Sequence, residues 1–498
     1  MNILEFRRQF LFCNKQIPAL SSWKQEELSV AGQNFTLYLH PDLEYYRTKN
    51  NDAGILLMGY AIDPYHPDYA MADILKELAS RPDYTGLLKR TDTLTGRYAI
   101  IHHDEDSIQF CHDATGLREV YYYNYGQVIA CGSTSKIIAD SLNIPLDDDP
   151  DLVNFYKSEI FNKVGRRWIG NRTVYKNIYH LPPNHYLDLL PGKTYRFWPT
   201  ENRKEKELSE AALSVANILS GTYDAATSRF KLQQGLTGGW DTRLLLAASR
   251  KYVDRINFYF YQGFLDNSTL NGNADYQIAR KIAEKAGISL EIIRLDKEST
   301  EDEFEKIYFQ NNVFARPTLL PVYYYNNRVR HDGSINVSGS GSNEILRLLS
   351  SIHRVVKAGR VIADDLGYDD YPYAVNAIDE WLKENFALTG YQYKLVDLFN
   401  WEQHFGNWGS LSSSEQDIVM EELRPFDNRE LISNYLSVHD RYRYKDYPLL
   451  HVAAIKLLWE DLMIFDVYTK WPEFKKILRK LGVEQSADRL FQYIKLIK

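Results

Sequence analysis

The chain has 498 residues, 44% of them hydrophobic and 25% charged, with a net charge of −7. That length suits two or three domains with ample core. The mild negative balance, without a long basic run, argues against a nucleic-acid surface. No apolar run approaches the roughly 20 residues that a membrane span needs, so no membrane partner is expected.

The opening stretch MNILEFRRQFLFCNKQ carries Arg7 and Arg8 inside its apolar part, which breaks a signal-peptide core. The cysteines, Cys13, Cys111 and Cys131, fit neither zinc spacing nor a disulfide framework. Reduced thiols and a cytoplasmic location are expected.

The first 200 residues read as strand-rich. Short apolar or alternating runs occur at 35–40, 53–62, 96–104, 107–113, 119–126 and 127–133, with turn residues between them. EDS and NYGQ read as hairpin turns, and 185–198 as one more hairpin closed near PGK. His102 and His103 are expected on a solvated hairpin surface. The acidic run DDDPD at 147–151 lacks the alternating ligands and glycine of a calcium loop.

The composition changes at TENRKEKELSEAAL, 200–213, which suits a linker feeding a helix. Strands at 230–236, 255–262 and 289–296 then alternate with helices, one of them at 274–287. This β-α-β-α-β order predicts a parallel sheet. Beyond about residue 350 the chain reads as mainly helical. RVRHDG at 328–333 reads as a solvated helix end, and WEQHFGNWGS at 401–410 as core or as the lining of a substrate pocket.

The stretch QQGLTGGWDTRLLLAAS, 233–249, sits at a strand-to-helix turn of that sheet, where parallel sheets bind ligands. Gly238 and Gly239 let backbone N–H groups approach an anion, and the helix start favours phosphate. Thr237 and Thr242 add hydroxyls. Asp241 would repel a bare phosphate but suits a magnesium ion carried by one. The lysine of the common triphosphatase loop is absent. An ordinary turn remains the competing reading.

LTGGWDTR is similar to the Ser-Gly-Gly-x-Asp-Ser loop of ATP pyrophosphatases, and the chain resembles the asparagine synthetase family within that group. LTGRYAIIHHDEDSIQFCHDATGLREVYYY, ACGSTSKII, IYHLPPNHYLDLLPG, NADYQIARKIAEKAGISLEII, VSGSGSNEI and RPFDNREL resemble further family segments, in family order. The resemblance implies an N-terminal-nucleophile type α/β/β/α sandwich over residues 1–200. A parallel-sheet ATP pyrophosphatase domain with a helical extension would follow over 205–498.

It also implies a reaction. ATP adenylates a substrate carboxylate, releasing pyrophosphate, and an amine displaces AMP to form an amide. Donors placed at the phosphates would stabilise the transition state. By position, Thr237, Gly238, Gly239 and Thr242 would hold pyrophosphate, and Leu236 and Tyr261 would offer the nucleotide backbone contacts. Gly339 and Gly341 would face the acyl-adenylate, and Asp241, Asn343 and Glu344 would hold Mg2+. Asp241, Glu344 and Ser340 are the catalytic candidates.

The pattern departs in places. The family's glutaminase uses a first-residue cysteine as nucleophile. Here Met1 precedes Asn2, and Cys13 would serve only after removal of twelve residues. A glutaminase-like fold without that activity is therefore expected, as in β-lactam synthetases and lasso-peptide cyclases. Asn343 stands where relatives carry a metal-binding Asp, and Ser340 where they carry Glu or Tyr. Arg243 and Arg347 fit a subgroup of the family, either as ion-pair residues or as grips on an anion. Lys445 and Lys456 lie where relatives place a pyrophosphate-binding lysine.

The expected function is ATP-dependent amide ligation without glutamine, on a small-molecule, peptide or glycan carboxylate and an amine. A homodimer is compatible with it. Ammonia-dependent asparagine synthesis and a catalytically inactive nucleotide-binding scaffold are the alternatives. Transfer of sulfur to tRNA lacks the paired cysteines and basic surface it would need.

Overall fold

The computed structural model describes residues 2–48, 54–262, 270–295, 300–314, 319, 321–323, 325, 333–347, 358–445 and 447–465. RVRHDG therefore lies outside the described residues except for Gly333.

Two antiparallel six-stranded sheets draw every strand from residues 10–196. The first runs, in spatial order, Ile178–His180, Tyr121–Tyr125, Val128–Gly132, Phe10–Cys13, Gln33–Leu39 and Lys24–Val30. The second runs Lys193–Arg196, His185–Asp188, Ile108–His112, Thr95–His103, Gly54–Ile62 and Tyr45–Arg47. The hairpins expected at EDS, NYGQ and PGK join neighbouring strands.

Side chains alternate across a strand, and Gly54–Ile62 uses both of its faces. Leu56 and Met58 join Phe10, Phe12, Leu37 and Ile101 in the core between the two sheets. Ile55 and Leu57 turn the other way, into the layer that holds Ile74 and Leu75 of helix Met71–Ala79 and Val215 and Leu219 of helix Leu208–Arg229. A strand buried on both faces has no polar alternation, which is why it reads as a continuous apolar run. His103 departs from the expected solvated surface. It is buried, and burial lowers its imidazole pKa.

The third sheet is parallel, in the order Leu290–Arg294, Ile256–Gln262, Leu232–Gly235, Ile335–Val337 and Glu422–Leu423. The chain runs from the central strand outward through two neighbours, then returns to the other side of the central strand. The polar stretch at 200–207 is irregular and feeds the 22-residue helix Leu208–Arg229. Beyond residue 358 the described elements are helices apart from the strand Glu422–Leu423, with turns and irregular stretches between them. WEQHFGNWGS forms wide π-type turns over Asn400–Gly409, and Trp401 and Glu402 there are fully buried.

Charged pairs seal the two halves of the chain together. Arg97 Nη1 and Nη2 grip Asp417 at 2.5 and 2.8 Å, and Arg97 Nη1 also donates to Glu421 at 2.7 Å. Arg118 Nη2 donates to the other Glu421 oxygen at 2.7 Å. The N-terminal segment crosses over as well. Asn311 Oδ1 accepts from Phe6 N, and Asn311 Nδ2 donates to the Leu4 carbonyl. Leu4 packs with Tyr259, Tyr308 and Ile418. Among the described residues no helix is long and apolar enough to cross a membrane.

Candidate functional site

In an open α/β sheet, ligands bind beyond the carboxyl ends of the strands where the strand order reverses. Here the reversal lies between Leu232–Gly235 and Ile335–Val337. The loops that leave these strands are Leu236–Gly239 and Ser338–Gly341, so both glycine stretches flank one crevice.

The two loops touch. A Cβ at Gly339 would lie 3.3 Å from Asp241 Cβ. Ser342 Oγ donates to Asp241 Oδ1 at 2.6 Å, and Arg347 Nη2 donates to Asp241 Oδ2 at 2.8 Å. His451 Nε2 lies 2.8 Å from Ser342 Oγ and 3.4 Å from Asp241 Oδ1. On its other side, His451 Nδ1 lies 3.1 Å from the Tyr435 hydroxyl. Burial pushes the Asp241 carboxyl up, but Arg347, His451 and Ser342 outweigh it and hold the group below its ordinary range. Burial lowers the His451 pKa, with Asp241 opposing.

The first loop starts helix Trp240–Ala248, with Gly239 at its N-cap. Gly238 N donates to Asp275 Oδ1 at 2.6 Å, so a carboxylate already sits on a loop amide. Burial raises the Asp275 pKa, and this hydrogen bond opposes the rise. A Cβ on Gly238 would lie 2.9 Å from Ile278 Cβ and 3.0 Å from Asp275 Oδ1, so only glycine fits. Thr237 and Thr242 share a hydroxyl–hydroxyl contact of 3.0 Å, and Gly239 N donates to Thr237 Oγ1 at 3.2 Å.

In the second loop Gly341 has φ +96°, and Glu344 Oε2 accepts from its N–H at 3.0 Å. Ser340 N donates to Ser338 Oγ. Asn343 Oδ1 is buried without a hydrogen-bond partner, and so is Arg347 Nε.

The structure thus brings together Thr237, Gly238, Gly239, Asp241, Thr242, Gly339, Ser340, Gly341, Asn343 and Glu344. Leu236 and Tyr261, expected to offer the nucleotide backbone contacts, lie at the carboxyl ends of neighbouring strands, whereas Arg243 takes another role. The Leu236 N–H donates to the Tyr259 carbonyl within the sheet at 2.8 Å. The Tyr261 ring packs against Tyr259 and Tyr325, 5.0 and 5.7 Å between centroids. Arg243 is fully buried and donates to the carbonyls of Leu462 and Phe465, so it fastens the helix instead of gripping an anion. Lys445 lends its carbonyl to Arg347 Nη1, and Lys456 is exposed.

The residues do not fit a magnesium site as they stand. Both Asp241 oxygens already accept from protein donors, and a cation there would have to displace the Arg347 guanidinium. Glu344 caps Gly341 instead of turning to Asp241, and Asn343 brings no charge. Among the described residues no cluster of three or more His, Cys, Asp or Glu side chains is arranged for a metal. An anion is better served: Arg347 offers an uncommitted Nε, and Asp275 shows that the Gly238 amide takes an oxygen anion.

Sequence reasoning did not single out Ser342, Tyr435, His451 or Asp275. His451 is a lone histidine in an apolar helix, Leu449–Trp459, and nothing in its spacing sets it apart from a core residue. Asp275 appeared only as part of a helix motif.

No family model matches the chain, and no curated protein does. Solved structures are similar at low identity. Glutamine phosphoribosylpyrophosphate amidotransferase from B. subtilis, complexed with ADP and GMP, is 10% identical, with 60% of this chain and 70% of that chain covered and a TM-score of 0.25. An allosteric regulatory enzyme of purine biosynthesis is 11% identical over 72% of this chain and 78% of its own, with a TM-score of 0.26. NH3-dependent NAD synthetase from Campylobacter jejuni subsp. jejuni NCTC 11168, in complex with nitrate, is 12% identical over 39% and 92%, with a TM-score of 0.21.

Proposed function

We propose that the protein is an ATP-dependent, amide-forming ligase that adenylates a carboxylate for attack by an amine. One observation carries this reading. The loops Leu236–Gly239 and Ser338–Gly341 leave adjacent strands at the order reversal and are tied by Asp241 to Ser342 and Arg347. Residues 1–200 and 205–498 are taken as its two units.

In this reading the Gly238 and Gly239 amides and the start of helix Trp240–Ala248 face the nucleotide phosphates. Arg347 supplies fixed positive charge where pyrophosphate leaves, in a partly buried crevice where such charge counts for more than in water. His451 and Ser342 hold the Asp241 carboxylate in place. No step is assigned to a metal ion. The amine arrives from solution, because no thiol is set up as a nucleophile. All three cysteines are buried, and burial pushes the Cys13 and Cys111 thiols up to about 11 and about 12.

Calorimetry with ATP tests the nucleotide part, comparing wild type with Gly238→Ala, with and without magnesium. A screen of carboxylates and amines for AMP and pyrophosphate release tests the reaction. Saturable ATP binding lost in Gly238→Ala supports the reading, and a folded wild type that ignores ATP overturns it.

A second reading, an inactive nucleotide-binding scaffold, is favoured by Asp275 on the loop amide and by Asn343 at the acidic position. ATP binding with no AMP release across the screen would select it.

A further inference from the structure

A second cleft lies away from the glycine loops and shares no residue with them. It is narrow and encloses about 600 Å3 with its mouth included. Tyr121 and His180 come from the first antiparallel sheet and Glu119 from the stretch that leads into it, and Asn312, Phe314 and Asn407 face them from the later half of the chain. Much of the wall is flat and apolar. Trp168 and Phe314 stack with centroids 5.6 Å apart, and Tyr121 lies against His180 at 4.8 Å.

The polar atoms of this wall are unbalanced. Several of its donors are committed, among them Arg166 Nε, which donates to Asn162 Oδ1 at 2.9 Å. Tyr121 Oη donates to Glu119 at 2.7 Å and Trp168 Nε1 to the Arg172 carbonyl at 2.7 Å. Asn312 Nδ2 donates to the Tyr308 carbonyl at 2.8 Å, and the Arg172 guanidinium is held by Asp147 and Asp149. Among the described residues two buried side-chain acceptors of the wall have no partner: His180 Nε2 and Asn312 Oδ1, on residues only 2% and 4% exposed.

The histidine's role follows from its neighbours. Asn407 Nδ2 donates to the Gln403 carbonyl, so the Asn407 oxygen is the atom that meets His180 Nδ1 at 3.0 Å. An amide oxygen can only accept, so Nδ1 carries the hydrogen and Nε2 presents a bare lone pair. Burial, with help from His112, lowers the imidazole to about 3 and keeps it neutral. Glu119 adds acceptor character nearby, its carboxyl pushed up to about 7 by burial against the pull of Ser414 and Tyr121.

A buried acceptor without a donor is rare and asks for one. We propose that this cleft binds a primary amine on a flat apolar body, its N–H groups meeting His180 Nε2 and Asn312 Oδ1 and its body lying along Trp168 and Phe314. The ammonium and neutral amine forms both present donors only toward these atoms. The site is separate from the nucleotide crevice and stands whether or not that crevice binds ATP.

The test uses the full chain with benzylamine as probe and toluene as the control that keeps the ring and loses the donors. Saturation-transfer NMR and calorimetry read binding to wild type, His180→Phe and Asn312→Leu, with circular dichroism confirming that each is folded. Saturable benzylamine binding, about tenfold weaker for toluene and about tenfold weaker in either folded variant, supports the site. No saturable binding at millimolar benzylamine overturns it, as does equal binding of toluene or unchanged binding in both variants. Each of those results would mean that only water meets the two acceptors.

Discussion

Arg347 Nη2 lies 2.8 Å from Asp241 Oδ2, and this ion pair locks the two glycine loops of the parallel sheet to each other. Most of the expectations for the crevice turn on it. It supplies the positive charge on Asp241 that a metal ion was expected to bring.

Arg347→Ala should destabilise the fold by about 1–3 kcal/mol, between the values for exposed and buried pairs. Asp241 has a lowered pKa, so its stabilising contribution is complete above the unfolded value of about 4. It is lost as the pH falls through the lower folded value. Urea unfolding across this range should show a steeper acid limb in wild type than in Arg347→Ala.

Asp275→Asn keeps an acceptor for the Gly238 amide and removes a negative charge from the anion position. Pyrophosphate should bind about tenfold tighter to this variant, a gain of about 1.4 kcal/mol. Calorimetry in the absence of nucleotide checks it. Equal or weaker binding would mean that pyrophosphate does not approach this amide.

Gly238→Ala places a Cβ against Ile278 and the Asp275 carboxylate, neither of which is the far end of a flexible chain. The overpacking should cost about 1–3 kcal/mol. Displacement of the loop should abolish ATP binding while the far-UV dichroism remains that of wild type.

Arg97→Ala leaves Asp417 and Glu421 with only Arg118 to meet them in a buried cluster. Breaking a buried pair from one side costs about 3–5 kcal/mol. Denaturant unfolding should show that loss, and Arg97→Met should recover little of it because Arg118 alone balances only one of the two carboxylates.

Glu119 has a folded pKa of about 7, raised from 4.5 by burial. The folded state therefore binds more protons than the unfolded state between those values, and stability falls as the pH rises through them. The loss should reach about 3 kcal/mol by neutral pH. Glu119→Gln should flatten this slope, as read by thermal midpoints from pH 4 to about 8.

The sequence was legible where period and punctuation agreed. Hairpins at EDS, NYGQ and PGK stand where turn residues break apolar runs, and the Thr237–Gly239 turn sits at a carboxyl strand end as its glycines required. Strand Phe10–Cys13 was not read as one, because Arg7, Arg8 and four consecutive large or apolar residues carry no alternation. His103 was misplaced because a hairpin near a charged turn reads as exposed, whereas a second sheet and a helix layer cover this one on both faces. His451 and Asp275 reach the crevice from helices remote in sequence, and spacing carries no information about which helix lands there. Asp241 and Arg347 were each singled out, but not as partners, since a separation of 106 residues does not show which side chains meet.

The crossing of residues Leu4–Arg8 into the later half sets an order of events for the growing chain. Their partners are Asn311, Asp417, Ile418 and Val419. Arg7 and Val419 are 412 residues apart, so this part of the docking of Leu4–Arg8 must wait until the later half of the chain has been made. Until then Arg7 has its nearer partner Asp42 but not its later ones, and proteolysis would find this segment half-docked. Residues 417–419 clamp Arg7 and Arg8, so chains cut between the two segments should hold Leu4–Arg8 less firmly than the full pairing does.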